Sequence, residues 1–122
     1  MTQAFDIKST IPMLGVDDIA TAASLYHALG FEIAWEHGLA PDAPRLVSMK
    51  QDGGEIYLSE HAIAPRGGIV YILTDSVDAL VASARDRGFQ PSFGPEDRPW
   101  GDREAYFTDA SGNVLRFGQH LD

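Results

Sequence analysis

Asp75-Ser76-Val77-Asp78-Ala79-Leu80-Val81-Ala82-Ser83-Ala84-Arg85-Asp86-Arg87-Gly88-Phe89 reads as one amphipathic helix. Val77, Leu80, Val81 and Ala84 share a stripe, polar residues stand before it, arginines occupy its last turn and Gly88 closes it. The design already occurs in Asp18-Ile19-Ala20-Thr21-Ala22-Ala23-Ser24-Leu25-Tyr26-His27-Ala28-Leu29-Gly30-Phe31, with Ile19, Ala22, Ala23, Tyr26 and Leu29 on the stripe. A shift of 58 residues carries Ile19 to Val77, Gly30 to Gly88 and Phe31 to Phe89, and it also carries Gly54 to Gly112 and Ile56 to Val114. The chain is an internal duplication.

Outward from each helix the pattern turns to short strands. Ile11–Val16 and Ile69–Thr74 are apolar and precede the helices. Phe31–His37, Arg45–Lys50 and Glu55–Glu60 follow the first, matched by Gln90–Phe93, Arg103–Thr108 and Asn113–Phe117 after the second. Asp52-Gly53-Gly54 and Ala110-Ser111-Gly112 supply tight turns, and the Pro/Gly stretch from His61 to Gly68 joins the halves. The expectation is an α+β domain over 1–122 made of two βαβββ modules, at about 9–60 and 67–118. One such module would leave a sheet face bare, so two must share a core or exchange with another chain, their sheets curling around a cleft.

Composition narrows the function. With 18 acidic against 9 basic residues the formal charge is −9, which repels nucleic acid and anionic bilayers and draws cations. Residues 1–10 show no apolar leader segment, and apolar runs stay well short of the roughly 18 residues that a membrane span needs, so a soluble cytoplasmic protein is expected. Absence of cysteine removes disulfides and thiolate chemistry. The histidines, His27 on the outer helix face, His37 in a loop, His61 in the linker and His120 in the tail, have no short-range ligand spacing and read as surface residues. No phosphate loop or nucleophile elbow occurs. Alternation lets at most one of Arg103 and Glu104 face a cleft, and an outer-face ion pair is the expected role.

The two tryptophans, Trp35 and Trp100, stand in segments that form the expected cleft, and either ring suits core packing or ligand stacking. The tandem βαβββ pattern from about Ile11 to about Phe117, together with Pro99-Trp100-Gly101, Arg103-Glu104 and the Asp109-x-x-Gly112-Asn113 turn, resembles the bleomycin-resistance branch of the glyoxalase/vicinal-oxygen-chelate superfamily. Ferredoxin-like αβ proteins have a different strand order per helix.

The resemblance implies incurved mixed sheets, a homodimer whose cleft both chains complete, and exchange of the first strand. It implies that Trp100 stacks on a flat drug, that Trp35 forms the opposite side, that Gly101 admits the ligand to the backbone, and that Tyr71 joins the wall. An acidic neighbour of the stacking aromatic corresponds to Ala34 here, with Glu36 on the other side, and a second aromatic corresponds to Leu46. The superfamily's metal positions fall at Ile11, Ile69, Tyr57 or Leu58, and Arg116, none a usual ligand of a hard divalent ion. The implied function is sequestration of a planar, cationic, bleomycin-class antibiotic without cofactor or catalysis. The alternatives are a metal-dependent lyase, isomerase or dioxygenase with relocated ligands, for which Glu60, His61 and His120 are the candidates, and a sensor or carrier domain.

Overall fold

The computed structural model describes residues 4–38 and 40–122. Met1 to Gln3 and Leu39, within the expected domain 1–122, lie outside the described residues. The elements run β1 (Met13–Gly15), α1 (Ile19–Ala28), β2 (Glu32–His37), β3 (Leu46–Gln51), β4 (Gly54–Ser59), β5 (Ile69–Leu73), α2 (Val77–Asp86), β6 (Phe93–Asp97), β7 (Asp102–Thr108) and β8 (Val114–His120). This is the expected α+β repeat of βαβββ units. Each repeat builds its own four-stranded mixed sheet, in the orders β1-β4-β3-β2 and β5-β8-β7-β6, and neither sheet closes. The first strand of each repeat runs parallel to the last and the other neighbours are antiparallel.

Side-chain caps start both helices. The Asp18 carboxylate accepts from the Thr21 N–H at 2.9 Å, and the Ser76 hydroxyl accepts from the Ala79 N–H at 3.1 Å. Gly30 and Gly88, at φ +92° and +88°, end them in the left-handed turn that an L side chain resists. The stripes are buried as expected, Leu80 packing at the edge of α2. They meet Leu14, Val47, Met49, Ile56 and Leu58 from the first sheet and Ala105, Phe107, Leu115 and Phe117 from the second in one continuous core.

Four expectations shift. β1 is only three residues long, because Ile11 and Pro12 precede the ladder; Pro12 has no donor, although its carbonyl accepts from the Tyr57 N–H at 2.9 Å. The strand expected at Gln90–Phe93 lies at Phe93–Asp97, beyond Pro91, and passes so close to the Glu104 carbonyl that a Cβ on Gly94 would overlap it. His37 ends β2 and His120 ends β8, so neither sits in a loop or tail.

The repeat shift also changes within the second hairpin. A shift of 58 carries Ser48 to Tyr106, but 59 is needed to carry its partner Tyr57 to Arg116, the partner of Tyr106. The counterpart of Ile56 is therefore Leu115, not Val114. Four residues separate the paired Lys50 and Glu55, whereas five separate Thr108 and Val114.

The longer turn pins the modules together. The Asp109 carboxylate accepts from the N–H groups of Ser111 and Asn113. Asn113, fully buried, donates from Nδ2 to the Gly15 carbonyl at 2.8 Å and accepts at Oδ1 from the Gly68 N–H at 2.9 Å. The Tyr26 hydroxyl of α1 donates to Asp109 at 3.1 Å.

Candidate binding site

Tyr71, Arg116, Tyr106 and Phe93 stand opposite one another in a row across the second sheet. Leu115 and Phe117 flank Arg116 and enter the core, so strand alternation turns Arg116 and its row to the other, open face. The matching row of the first sheet is Met13, Tyr57, Ser48 and Trp35.

Glu104 organises the second row. Its fully buried carboxylate accepts from Trp100 Nε1 at 3.0 Å, from the Tyr71 and Tyr106 hydroxyls at 2.9 Å each, and from Arg116 Nη2 at 3.0 Å. Burial pushes this carboxyl up, but the four donors outweigh burial and hold it below its ordinary value, charged at neutral pH. Tyr71 on β5 reaches Glu104 on β7 across β8 because the intervening residue is Gly118, where a Cβ would overlap the Tyr71 hydroxyl. That hydroxyl also bonds Asp102 at 2.8 Å, and Asp102 meets His120 Nδ1 at 2.7 Å. Desolvation first, then the two carboxylates, push the Tyr71 hydroxyl far up, so it remains a donor. The bonds with His120 and Tyr71 hold Asp102 below the usual carboxylate range.

Among the described residues, the one side-chain hydrogen bond of Trp100 runs from its indole nitrogen, and 54% of the residue is exposed. The Arg98 and Arg116 guanidinium carbons lie 4.7 and 5.6 Å from its ring centroid, within cation–π range. Gly101, at φ +96°, turns the bend with no atom within 4 Å of where a Cβ would stand. Trp35 belongs to the first sheet, 39% exposed, edge-on to Tyr57 with centroids 5.0 Å apart.

The six residues expected to bind ligand thus divide. Trp100 and Tyr71 meet at Glu104, with Gly101 at the same bend, whereas Trp35, Glu36 and Leu46 lie on β2 and β3. Glu36 forms an ion pair with Arg45, and Leu46 pairs with His37 and Ser59. A groove of about 810 Å³ between the modules has Tyr71 in its wall and neither tryptophan. Arg103 and Glu104 do not pair with each other: Arg103 holds Asp78 and Asp97, and Glu104 holds Arg116, because strand neighbours point oppositely. Sequence reasoning missed Glu104 as the hub, together with Tyr106, Asp102 and Gly118. The period-two spacing of Asp102, Glu104 and Tyr106 was the available signal.

The residues present do not fit the superfamily's divalent metal. In register, Tyr57 lies beside Met13 and Arg116 beside Tyr71, so the expected Ile11 and Ile69 are replaced as cross-strand partners without gaining a carboxylate or imidazole. A cation there would face the Arg116 guanidinium. Glu60 is occupied, accepting from the N–H groups of Ile19 and Arg45, while His120 binds Asp102 in the other module. Among the described residues no group of three or more His, Asp or Glu side chains is placed to hold a metal ion, and no helix is long and apolar enough to cross a membrane.

Comparison with known proteins gives the same fold. An antibiotic binding protein from a Streptomyces species is 26% identical, with a TM-score of 0.75 over 98% of this chain and 99% of that one. A bleomycin resistance determinant encoded on transposon Tn5 is 20% identical, with a TM-score of 0.75 over 93% and 98%. A bleomycin-binding protein complexed with bleomycin is 19% identical, with a TM-score of 0.74 over 93% and 99%. No curated protein matches the sequence. The family model described as glyoxalase/bleomycin resistance protein/dioxygenase superfamily matches residues 9–117, the span that holds both helices and Glu104 with its four donor residues, and the chain belongs to that superfamily.

Proposed function

We propose that this protein captures a planar, cationic antibiotic of the bleomycin class in the cytoplasm and holds it away from its target without breaking a bond. The observation that carries the reading is the half-exposed Trp100 ring, fixed at its nitrogen by a buried carboxylate and continued by Tyr71 and Tyr106. A ring held at one edge keeps its orientation before the ligand arrives, so little ordering cost remains for stacking. The net charge of −9 raises the encounter rate with a cation. Relatives of this fold bind antibiotics, including bleomycin.

The cleft is completed in a homodimer, with Trp35 of one chain opposite Trp100 of the other and Gly101, Glu36 and Leu46 at its margins. Two apolar sheet edges support this arrangement: β1 and β5 are edge strands, and Met13, Ile69 and Leu73 on them are exposed. Exchange of the first strand would bring the same edges together.

Titration of bleomycin against tryptophan fluorescence tests the reading. Wild type is expected to quench, and Trp100→Ala to bind roughly ten- to a hundredfold more weakly while keeping its melting temperature; Trp35→Ala is expected to behave alike. Absence of quenching in wild type, with Trp100→Ala unfolded, would show that the rings are core supports.

A further inference from the structure

Resting on the stacking site above, we infer that Arg116 selects among planar cations those whose ring edge carries a hydrogen-bond acceptor, such as a carbonyl oxygen or a ring nitrogen. The guanidinium is held from several sides. Its Nε and Nη2 both donate to Glu104 Oε1, at 3.2 and 3.0 Å, and its carbon lies 5.0, 5.5 and 5.6 Å from the ring centroids of Tyr106, Tyr71 and Trp100. Among the described residues Nη1 has no hydrogen-bond partner, and a third of the side chain is exposed. A donor is therefore fixed in direction in the middle of the open face, beside the surface on which a flat ligand stacks.

The Glu104 carboxylate balances the Arg116 charge, so the pair does not repel a cationic ligand as a whole. What Arg116 imposes is directional. A ring that covers Nη1 strips water from a charged N–H; an acceptor at its edge restores the bond, and a ring lacking one leaves the donor unpaired, which penalises binding. The corresponding position of the first module is Tyr57, whose ring is engaged with Trp35, so the selection operates from the second module alone.

Two probes with the same ring system and charge separate the effects: 9-aminoacridine, a planar cation whose protonated ring nitrogen donates and leaves no acceptor at the ring edge, and its 2-carboxamide, which adds a carbonyl acceptor there. Wild type is expected to bind the carboxamide roughly tenfold more tightly, read by fluorescence titration. Arg116→Met is expected to bind both probes alike, with Glu104 still satisfied by Trp100, Tyr71 and Tyr106. Equal affinity of wild type for the two probes, or a preference surviving in Arg116→Met, overturns the inference and leaves the stacking site standing. Failure of both probes to bind wild type overturns the stacking site and this inference together. If Arg116→Met melts below the assay temperature, Arg116→Lys decides: an ammonium in place of the fork is expected to reduce the preference, and an unchanged preference overturns the inference.

Discussion

A methyl group added at Gly118 would collide with the Tyr71 hydroxyl, and the consequences would run through Glu104 and Asp102, which both bond to it. Gly118→Ala is expected to lower stability by roughly 1–3 kcal/mol in urea titration and to weaken drug quenching by displacing Tyr71. Glu104 carries a pH signature of fixed sign. Its folded value lies below the unfolded one, so its stabilising contribution is complete above the ordinary carboxylate range near pH ~4.3 and is lost as pH falls through the lower folded value. Trp100 fluorescence should therefore hold steady from neutrality to about pH 5 and change only in more acid solution, and Glu104→Gln should remove that transition. Trp100 was legible in the sequence because Pro-Trp-Gly is contiguous. The hub was not, since Tyr71, Gly118 and Arg116 reach Glu104 only through strand register.

Helices and strands differed in how far they could be read. The two apolar stripes mark the buried faces, with Leu25 and Ala28 buried beside the first and Leu80 only partly buried in the second, because helical periodicity is a local property and the caps fix its ends. Strand register depends on turn length, and the one extra residue between Thr108 and Val114 moved every pairing of β8 one place beyond the shift of 58. The position of β6 was displaced for a similar reason: Pro91, Gly94 and Pro95 interrupt the alternation that would have announced it. The turn before β8 offers a direct measurement. Asn113→Ala leaves the Gly15 carbonyl and the Gly68 N–H without their buried partner, and a loss of roughly 2–4 kcal/mol is expected in urea unfolding. A Ser111→Ala control removes a single exposed bond to the Asp17 N–H and should cost far less.

For the molecule as a whole, the duplication predicted two sheets that share a core or exchange with another chain, and the two sheets and a shared core are present. The composition could not show that the candidate wall would be divided between sheets, Trp100 and Tyr71 on one and Trp35 on the other. Under the proposed reading, that division makes assembly matter to binding. Sedimentation at micromolar concentration is expected to show a dimer, and a charged substitution on the exposed edge, Leu73→Asp, is expected to yield monomers that lose drug quenching while keeping their fold.

The Asn113 clasp also bears on how such a chain can be rearranged by recombination. A gene encoding the first half twice would preserve the helix stripes and the sheet order, yet its second turn would be Asp52-Gly53, a residue short and without an amide to reach Gly15. A gene encoding the second half twice would place Asn113 in both turns but would offer Tyr26, the hydroxyl that secures Asp109, in neither helix. One extra residue in the second turn and one tyrosine in the first helix stand on opposite sides of the contact, so each half carries what the other lacks, and a chain built from two copies of either half would lose the joint.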